Sequence, residues 1–305
     1  MKNKNISMAS SSTDLAKTYQ KKTQIEHIKD APDTYIGGIE ADNVTSWTMN
    51  EKNKMIHKEF SFIPGFYKCF DEGIVNCRDH YIRLWQKLKN KEPNIVPVSL
   101  IDISVDKETG IITMMNDGNG IDIAKHPEYN LWIPEMIFGH LRTSTNYNKS
   151  EKKIVGGKNG FGFKLVLIWS TYGRIETIDH IRGLKYVQEF HDNLTKIDKP
   201  KITKNKSKPY TKVTFIPDYK RLQIGGLTND MIQLFQKRVY DIAGITQKNI
   251  KVKLNNELLN IKTFDHYVEK YIGKKEEKTR VSEESANRRW KYTVCITPYQ
   301  EFTHV

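Results

Sequence analysis

Between Phe66 and Asn90 the apolar residues Phe66, Phe70, Ile74, Cys77, Tyr81, Leu84 and Leu88 recur at steps of three and four, and this spacing predicts a helix with one apolar stripe. Upstream, Thr23–Lys29 reads as a short helix broken at Ala31-Pro32-Asp33, and Tyr35-Ile36-Gly37-Gly38 as a bend into a strand. Val98–Val105 and Ile111–Met115, joined by Asp106–Gly110, read as a β-hairpin. Leu131–Leu141 reads as helical, and Arg142–Lys153 as polar and flexible. The pattern then predicts strands at Arg174–Asp179, Leu184–Phe190 and Lys212–Ile216, with a basic loop at Lys199–Lys208. A helix over Asn229–Ala243 and a strand over Ile250–Leu254 follow. Several antiparallel strands with helices inserted between them argue an α+β sandwich and against a doubly wound fold.

From Phe264 the pattern changes to a short helix ending at Ile272, a charged stretch Gly273–Asn287 and a strand Trp290–Ile296. The expected organisation is a tail and strap over 1–18, with few large apolar residues in 1–16, a main domain over 19–262, and the beginning of a second domain over 263–305 that stops short at Val305. A chain of 305 residues has room for one large core and part of another. Its net charge of +13 favours a polyanionic partner, although scattered surface lysines give the same total. Cys69, Cys77 and Cys295 show no CxxC or His/Cys spacing, which argues against zinc and for a reducing, intracellular compartment. No run approaches the ~18 apolar residues of a membrane span, so a membrane partner is not expected.

Chemistry concentrates in four motifs. In Gly156-Gly157-Lys158-Asn159-Gly160-Phe161-Gly162-Phe163-Lys164, four glycines in seven positions from Gly156 to Gly162 precede the apolar helix Leu165–Trp169, an arrangement that turns backbone N–H groups toward phosphate. The motif matches neither a Walker A loop nor a dinucleotide fingerprint, and a tight connection is the competing reading. On the long helix, Glu72, Asn76, Asp79 and Arg83 stand at steps of four, three and four, within roughly 60° of one another and away from the stripe. A solvated face with an Asp79–Arg83 pair explains the charges, but asparagine is a poor helix-interior residue. An asparagine carbonyl suits Mg²⁺ beside nucleotide phosphates, and a glutamate one turn away suits the general-base task. Asn116-Asp117-Gly118-Asn119-Gly120-Ile121, at a strand end, offers an amide or carboxylate to an adenine amine, or simply a turn. Thr143-Ser144-Thr145-Asn146 offers four short side chains that donate to phosphate or cap a helix.

These motifs, together with Tyr19–Gln24, Pro32–Gly37, Pro64–Lys68, Ile137–Gly139 and Tyr240–Gly244, resemble the N-terminal ATPase region of eukaryotic-type type IIA DNA topoisomerases. That region belongs to the GHKL (Bergerat) superfamily of gyrase, the heat-shock 90 chaperones, MutL and histidine kinases. The resemblance implies a mixed, mainly antiparallel sheet with helices on one face, followed by the truncated start of a transducer domain. It implies an ATP-operated clamp that dimerises on nucleotide binding and drives one DNA duplex through another, in the nucleus or at a cytoplasmic replication site if the source is viral. The strand-cleaving domain lies outside these residues, so ATP hydrolysis is the activity expected of the segment. By the same resemblance, Glu72 is the general base, Asn76 the Mg²⁺ ligand and Asn116 the adenine-side residue. Ser144, Thr145 and Asn146, with Gly157, Lys158, Asn159, Gly160, Phe161, Gly162, Phe163 and Lys164, surround the triphosphate. Arg83 reaches it too, and Tyr19 lies on a strap that enters the partner's site.

Four residues depart from the family pattern, one of them Arg78, which replaces a small residue on the long helix. Phe163 replaces a small residue, which either moves the helix away from the phosphates or sends the ring into the core; Gly73 replaces an apolar residue; His80 stands where asparagine is usual. The competing functions are a MutL-like repair protein or chaperone of the same superfamily, and a non-enzymatic basic DNA-binding module with a vestigial nucleotide site.

Overall fold

The computed structural model describes residues 19, 21–141, 143, 161–286, 290–296 and 304. Helices α1 (Gln24–Asp30) and α2 (Pro32–Tyr35) open the chain, and a capping box in which Thr23 and Glu26 bond reciprocally starts α1. The hairpin β1 (Asp42–Met49) and β2 (Met55–Phe62) leads into α3 (Pro64–Lys89), 26 residues long, with proline in its first turn. Strands β3 (Leu100–Val105) and β4 (Ile112–Asp117) follow, then helices α4 (Ile133–Gly139) and α5 (Gly162–Ile168). Next come β5 (Ser170–Asp179), β6 (Leu184–His191), β7 (Lys196–Ile197), β8 (Lys201–Lys204) and β9 (Tyr210–Pro217). Helix α6 (Asn229–Gly244), β10 (Lys251–Leu254), β11 (Glu257–Leu258), α7 (Phe264–Ile272) and the hairpin β12 (Arg280–Glu284) and β13 (Lys291–Cys295) complete the order.

The main sheet runs β11-β10-β3-β4-β9-β5-β6-β7, with β8 also paired to β6. Every pairing is antiparallel except β10 with β3. The sheet is thus mixed and mainly antiparallel, as expected. Alternate residues of the central strands, such as Ile112 and Met114, Val213 and Phe215, and Ile175, are buried in a core shared with α3, α5 and α6. The other residues of these strands are more polar, and Glu176 on β5 is held between Lys185 and Lys212, each 2.9 Å away.

The stripe of α3 is buried from Phe66 to Leu84, but Leu88 is 40% exposed because the last turn runs past the core. Phe70 stacks on Phe235 of α6 with centroids 4.1 Å apart, and Arg238 of α6 donates to Asp71 of α3 at 2.7 Å. Helix α7 packs on α6 through Tyr267, whose hydroxyl donates to Asp241 at 2.7 Å, and reaches β1 through Tyr271 and Trp47. No helix among the described residues is long and apolar enough to cross a membrane.

The two departures at Gly73 and Phe163 meet in the core. A Cβ on Gly73 would lie 2.4 Å from Met114 Sδ and 3.3 Å from a Phe163 ring carbon, so glycine lets α3 approach β4 and α5 closely. Phe163 is buried between the rings of Phe138 and Phe215, at 5.8 and 5.7 Å. The ring therefore points into the core, and the small residue on α3 makes room for the large one on α5.

Candidate functional site

The polar face of α3 is not a freely solvated surface. Asp79 is buried, Glu72 and Arg83 are half-buried, and only Asn76 of the four stands exposed. Burial holds the Arg83 guanidinium below its usual range, with the Asp79 charge working the other way. Opposite α3, on the core face of the sheet, Asn116 on β4 pairs with Thr211 on β9, which pairs in turn with Thr177 on β5. This gives a polar row across three adjacent strands whose neighbours on the same face are apolar.

One end of the space is built around that row. Asn116 and Asp117 are the last two residues of β4, and the turn begins after them at Gly118. The Asp117 carboxylate accepts from Ser99 N at 2.6 Å, Ser99 Oγ at 2.5 Å, Leu100 N at 2.8 Å and Lys208 Nζ at 2.5 Å. Burial alone would raise its pKa, but these donors hold it below the usual carboxylate range. Asp117 is thus occupied by the fold. Asn116 donates through Nδ2 to the Asp117 carbonyl at 3.0 Å, which leaves its Oδ1 as the buried amide acceptor of the motif. Beyond it, Gly120 passes so close to β5 that a Cβ would lie 1.9 Å from the Ile178 carbonyl oxygen, and Ile121 N donates to Thr177 Oγ1 at 3.0 Å.

His80 ties α3 to this turn: its Nε2 lies 2.8 Å from the Asn119 carbonyl, which only accepts, so the proton sits on Nε2. Burial, aided by the Arg83 charge, pushes the imidazole down to about 4, so it is neutral at physiological pH. Thr177, Thr211 and Lys208 also face this space without standing in any of the sequence motifs. Their placement depends on strand register and a 91-residue separation between Lys208 and Asp117, and no local pattern signals either.

The other end gathers the base candidate and the glycine motif. Glu72 Oε1 pairs with Lys68 Nζ at 2.7 Å, while Oε2 lies 4.0 Å from the position of a Cβ on Gly162, the first residue of α5. Lys164, in the same first turn, is 4% exposed and donates through Nζ to the Thr143 carbonyl at 2.6 Å. Thr143 is itself fixed at the end of α4, donating to the carbonyls of Met136 and His140 at 2.6 and 2.9 Å. Burial pushes the Lys164 ammonium down to about 8. Phe161 packs against Tyr35 of α2 with centroids 5.9 Å apart. Residues Ser144, Thr145, Asn146, Gly157, Lys158, Asn159 and Gly160 lie outside the described residues. Tyr19, 77% exposed, is not among the residues the fold brings together.

A helix carrying Glu and Asn across from a mainly antiparallel sheet, with a glycine-rich helix start beside it, defines a GHKL-type sandwich. The 43K ATPase domain of Thermus thermophilus gyrase B matches 79% of the chain with a TM-score of 0.53 at 16% identity, a likeness of fold alone. The crystal structure of the ATPase region of Saccharomyces cerevisiae topoisomerase II matches far more closely, with a TM-score of 0.83 at 42% identity over 92% of this chain and 71% of that one. The ATPase and transducer domains of DNA topoisomerase II from Balamuthia mandrillaris give a TM-score of 0.83 at 36% identity, over 94% of this chain and 70% of that one. The chain belongs to the family of DNA topoisomerase II ATPase regions. Among curated proteins, DNA topoisomerase 2 of Acanthamoeba polyphaga mimivirus is 42% identical over 95% of this chain, and the chain spans 22% of that enzyme's length. No protein-family model matches the chain.

Proposed function

We propose that the chain binds and hydrolyses ATP as the N-terminal gate of a type II DNA topoisomerase, with the nucleotide lying between α3 and the Asn116–Thr211–Thr177 row. The observation that carries this reading is convergence. Glu72, Thr143 and Gly162–Lys164, distant in sequence, meet beside the first half of α3, while Asn116 and the Gly118–Gly120 turn stand beside its second half. Asn116 Oδ1 accepts from the adenine amine, the role its free acceptor suits. Glu72 takes the proton from the attacking water, and Lys164 with the 157–164 backbone neutralises the phosphates. Ser144, Thr145 and Asn146 complete the phosphate side, and Arg83 approaches from α3.

The donor set fits Mg²⁺, which takes one or two protein oxygens and completes its shell with water and phosphate: Asn76 presents an exposed amide one turn from Glu72. The ion would neutralise phosphate charge there. Two copies close on ATP, with Tyr19 on the strap that reaches the partner's site, and DNA is held through phosphate neutralisation by a chain of net charge +13. The segment 263–305 is the beginning of the transducer, and 19–262 the ATPase domain.

Glu72→Gln keeps the shape and most hydrogen bonds of the side chain but removes the proton acceptor. Hydrolysis should fall by about 10²–10⁴-fold while a non-hydrolysable ATP analogue binds as before. Equal loss of binding and turnover would make Glu72 structural. Asn76→Ala should instead weaken binding of the analogue in Mg²⁺ and leave binding in EDTA unchanged, and an unaltered Mg²⁺ dependence would contradict the metal assignment.

A further inference from the structure

We propose that Lys68 is a positioning residue for the Glu72 carboxylate, an inference that rests on Glu72 being the base. The two oxygens of that carboxylate are differently engaged. Oε1 is held by the Lys68 ammonium at 2.7 Å, and Oε2 is left on the side of Gly162, where the helix behind the glycine motif begins. A carboxylate free to rotate about its last torsion presents either oxygen at several angles, because that torsion is broad. Fixing one oxygen fixes the direction of the other, and a general base acts only when its accepting oxygen lies within hydrogen-bond reach of the proton it removes.

The pair has little other purpose. Lys68 is 45% exposed and Glu72 24% exposed, the range in which ion pairs add little to stability. The order along α3, lysine four residues before glutamate, is also the less favourable one for a helix. A second carboxylate stands within reach of the ammonium: Asp71 lies 4.0 Å from Lys68 Nζ and is itself anchored by Arg238 of α6 at 2.7 Å. Lys68 therefore has a fixed alternative partner, and its hold on Glu72 can loosen as the proton transfers without leaving an isolated charge. The same anchor keeps Asp71 directed at α6 and away from the site, so the carboxylate next to the base in sequence does not compete with it.

The test is made in the full chain, with Lys68→Met, Lys68→Arg, Glu72→Gln and the double variant Lys68→Met/Glu72→Gln. Lys68→Met should lower kcat by about 10- to 100-fold with the affinity for a non-hydrolysable ATP analogue and the melting temperature unchanged. Lys68→Arg should recover most of the rate, and Lys68→Met should have no further effect in the Glu72→Gln background. Full activity of Lys68→Met beside an inactive Glu72→Gln would overturn the role of Lys68 and leave the base in place. A parallel loss of analogue affinity, or an equal loss in both backgrounds, would also overturn it by showing that Lys68 contacts the nucleotide or supports the fold. Wild-type turnover by Glu72→Gln would overturn the base assignment itself.

Discussion

The two ends of the candidate site are built on different principles. At the end proposed for adenine, the polar groups that shape the turn are satisfied by the fold: Asp117 takes four donors, His80 holds Asn119, and Gly120 lies against β5. At the end proposed for the phosphates, charged side chains line the space: Lys164 donates to the Thr143 carbonyl, and the Lys68 ammonium is shared between Glu72 and Asp71. Satisfied buried networks rigidify a site, whereas a buried ammonium held below its ordinary range gains from a ligand of opposite sign. The fold thus closes its polar groups on one another at one end and keeps a buried cation, Lys164, at the other.

The largest expected effect tests what anchors the phosphate end. If α5 is held by apolar packing, Phe163→Ala should destabilise the protein by about 3–5 kcal/mol, measured by denaturant unfolding. Gly73→Ala should be destabilising alone, since its methyl meets Met114, and less so beside Phe163→Ala. A coupling of about 0.5–3 kcal/mol between the two positions would show that they compensate each other; strict additivity would sever the link.

A smaller effect is expected at the adenine end. Asp117→Ala leaves Ser99 N and Leu100 N without an acceptor; both residues are half-buried, so water replaces part of the lost bonding and the total loss should be about 1–3 kcal/mol. Because Asp117 anchors the end of β4 beside Asn116, affinity for ADP should fall together with stability. A fall in stability with ADP affinity intact would show that the turn does not face the base.

The smallest effect is a proton count. Lys164 titrates near 8 in the folded state, below its ordinary value, so at pH 8 about half of it is neutral. A triphosphate beside it favours the charged form, and binding at pH 8 should take up about half a proton, read by calorimetry in buffers of different ionisation enthalpy. The uptake should vanish at pH 6, where the ammonium is already charged, and in Lys164→Met. The stability sign follows from the same depression. The burial penalty is fully present below pH 8 and is relieved as pH rises toward 10.5, the ordinary lysine value.

Much of this architecture was legible in the sequence where local periodicity or spacing carries it. The stripe of α3 and the steps that place Glu72, Asn76, Asp79 and Arg83 together are properties of one 26-residue helix. The β1–β2 hairpin was not legible beyond a bend into a strand, because Asp42–Met49 alternates weakly and only its end is buried. Strand β8 hides inside a lysine-rich stretch that reads as a basic loop. The row of Asn116, Thr211 and Thr177 depends on register between strands far apart in the chain, and the fit of Phe163 to Gly73 depends on two helices meeting. Each substitution looks like a departure when read alone. In the folded chain they are one packing solution.

The most direct test of the central claim is a crystal structure of the chain with Mg²⁺ and a non-hydrolysable ATP analogue. The adenine amine should lie on Asn116 Oδ1, the ion on Asn76, and the terminal phosphate between Lys164 and the Oε2 side of Glu72. A nucleotide bound with its base away from the Asn116–Thr211–Thr177 row, or with Glu72 turned from the terminal phosphate, would contradict it.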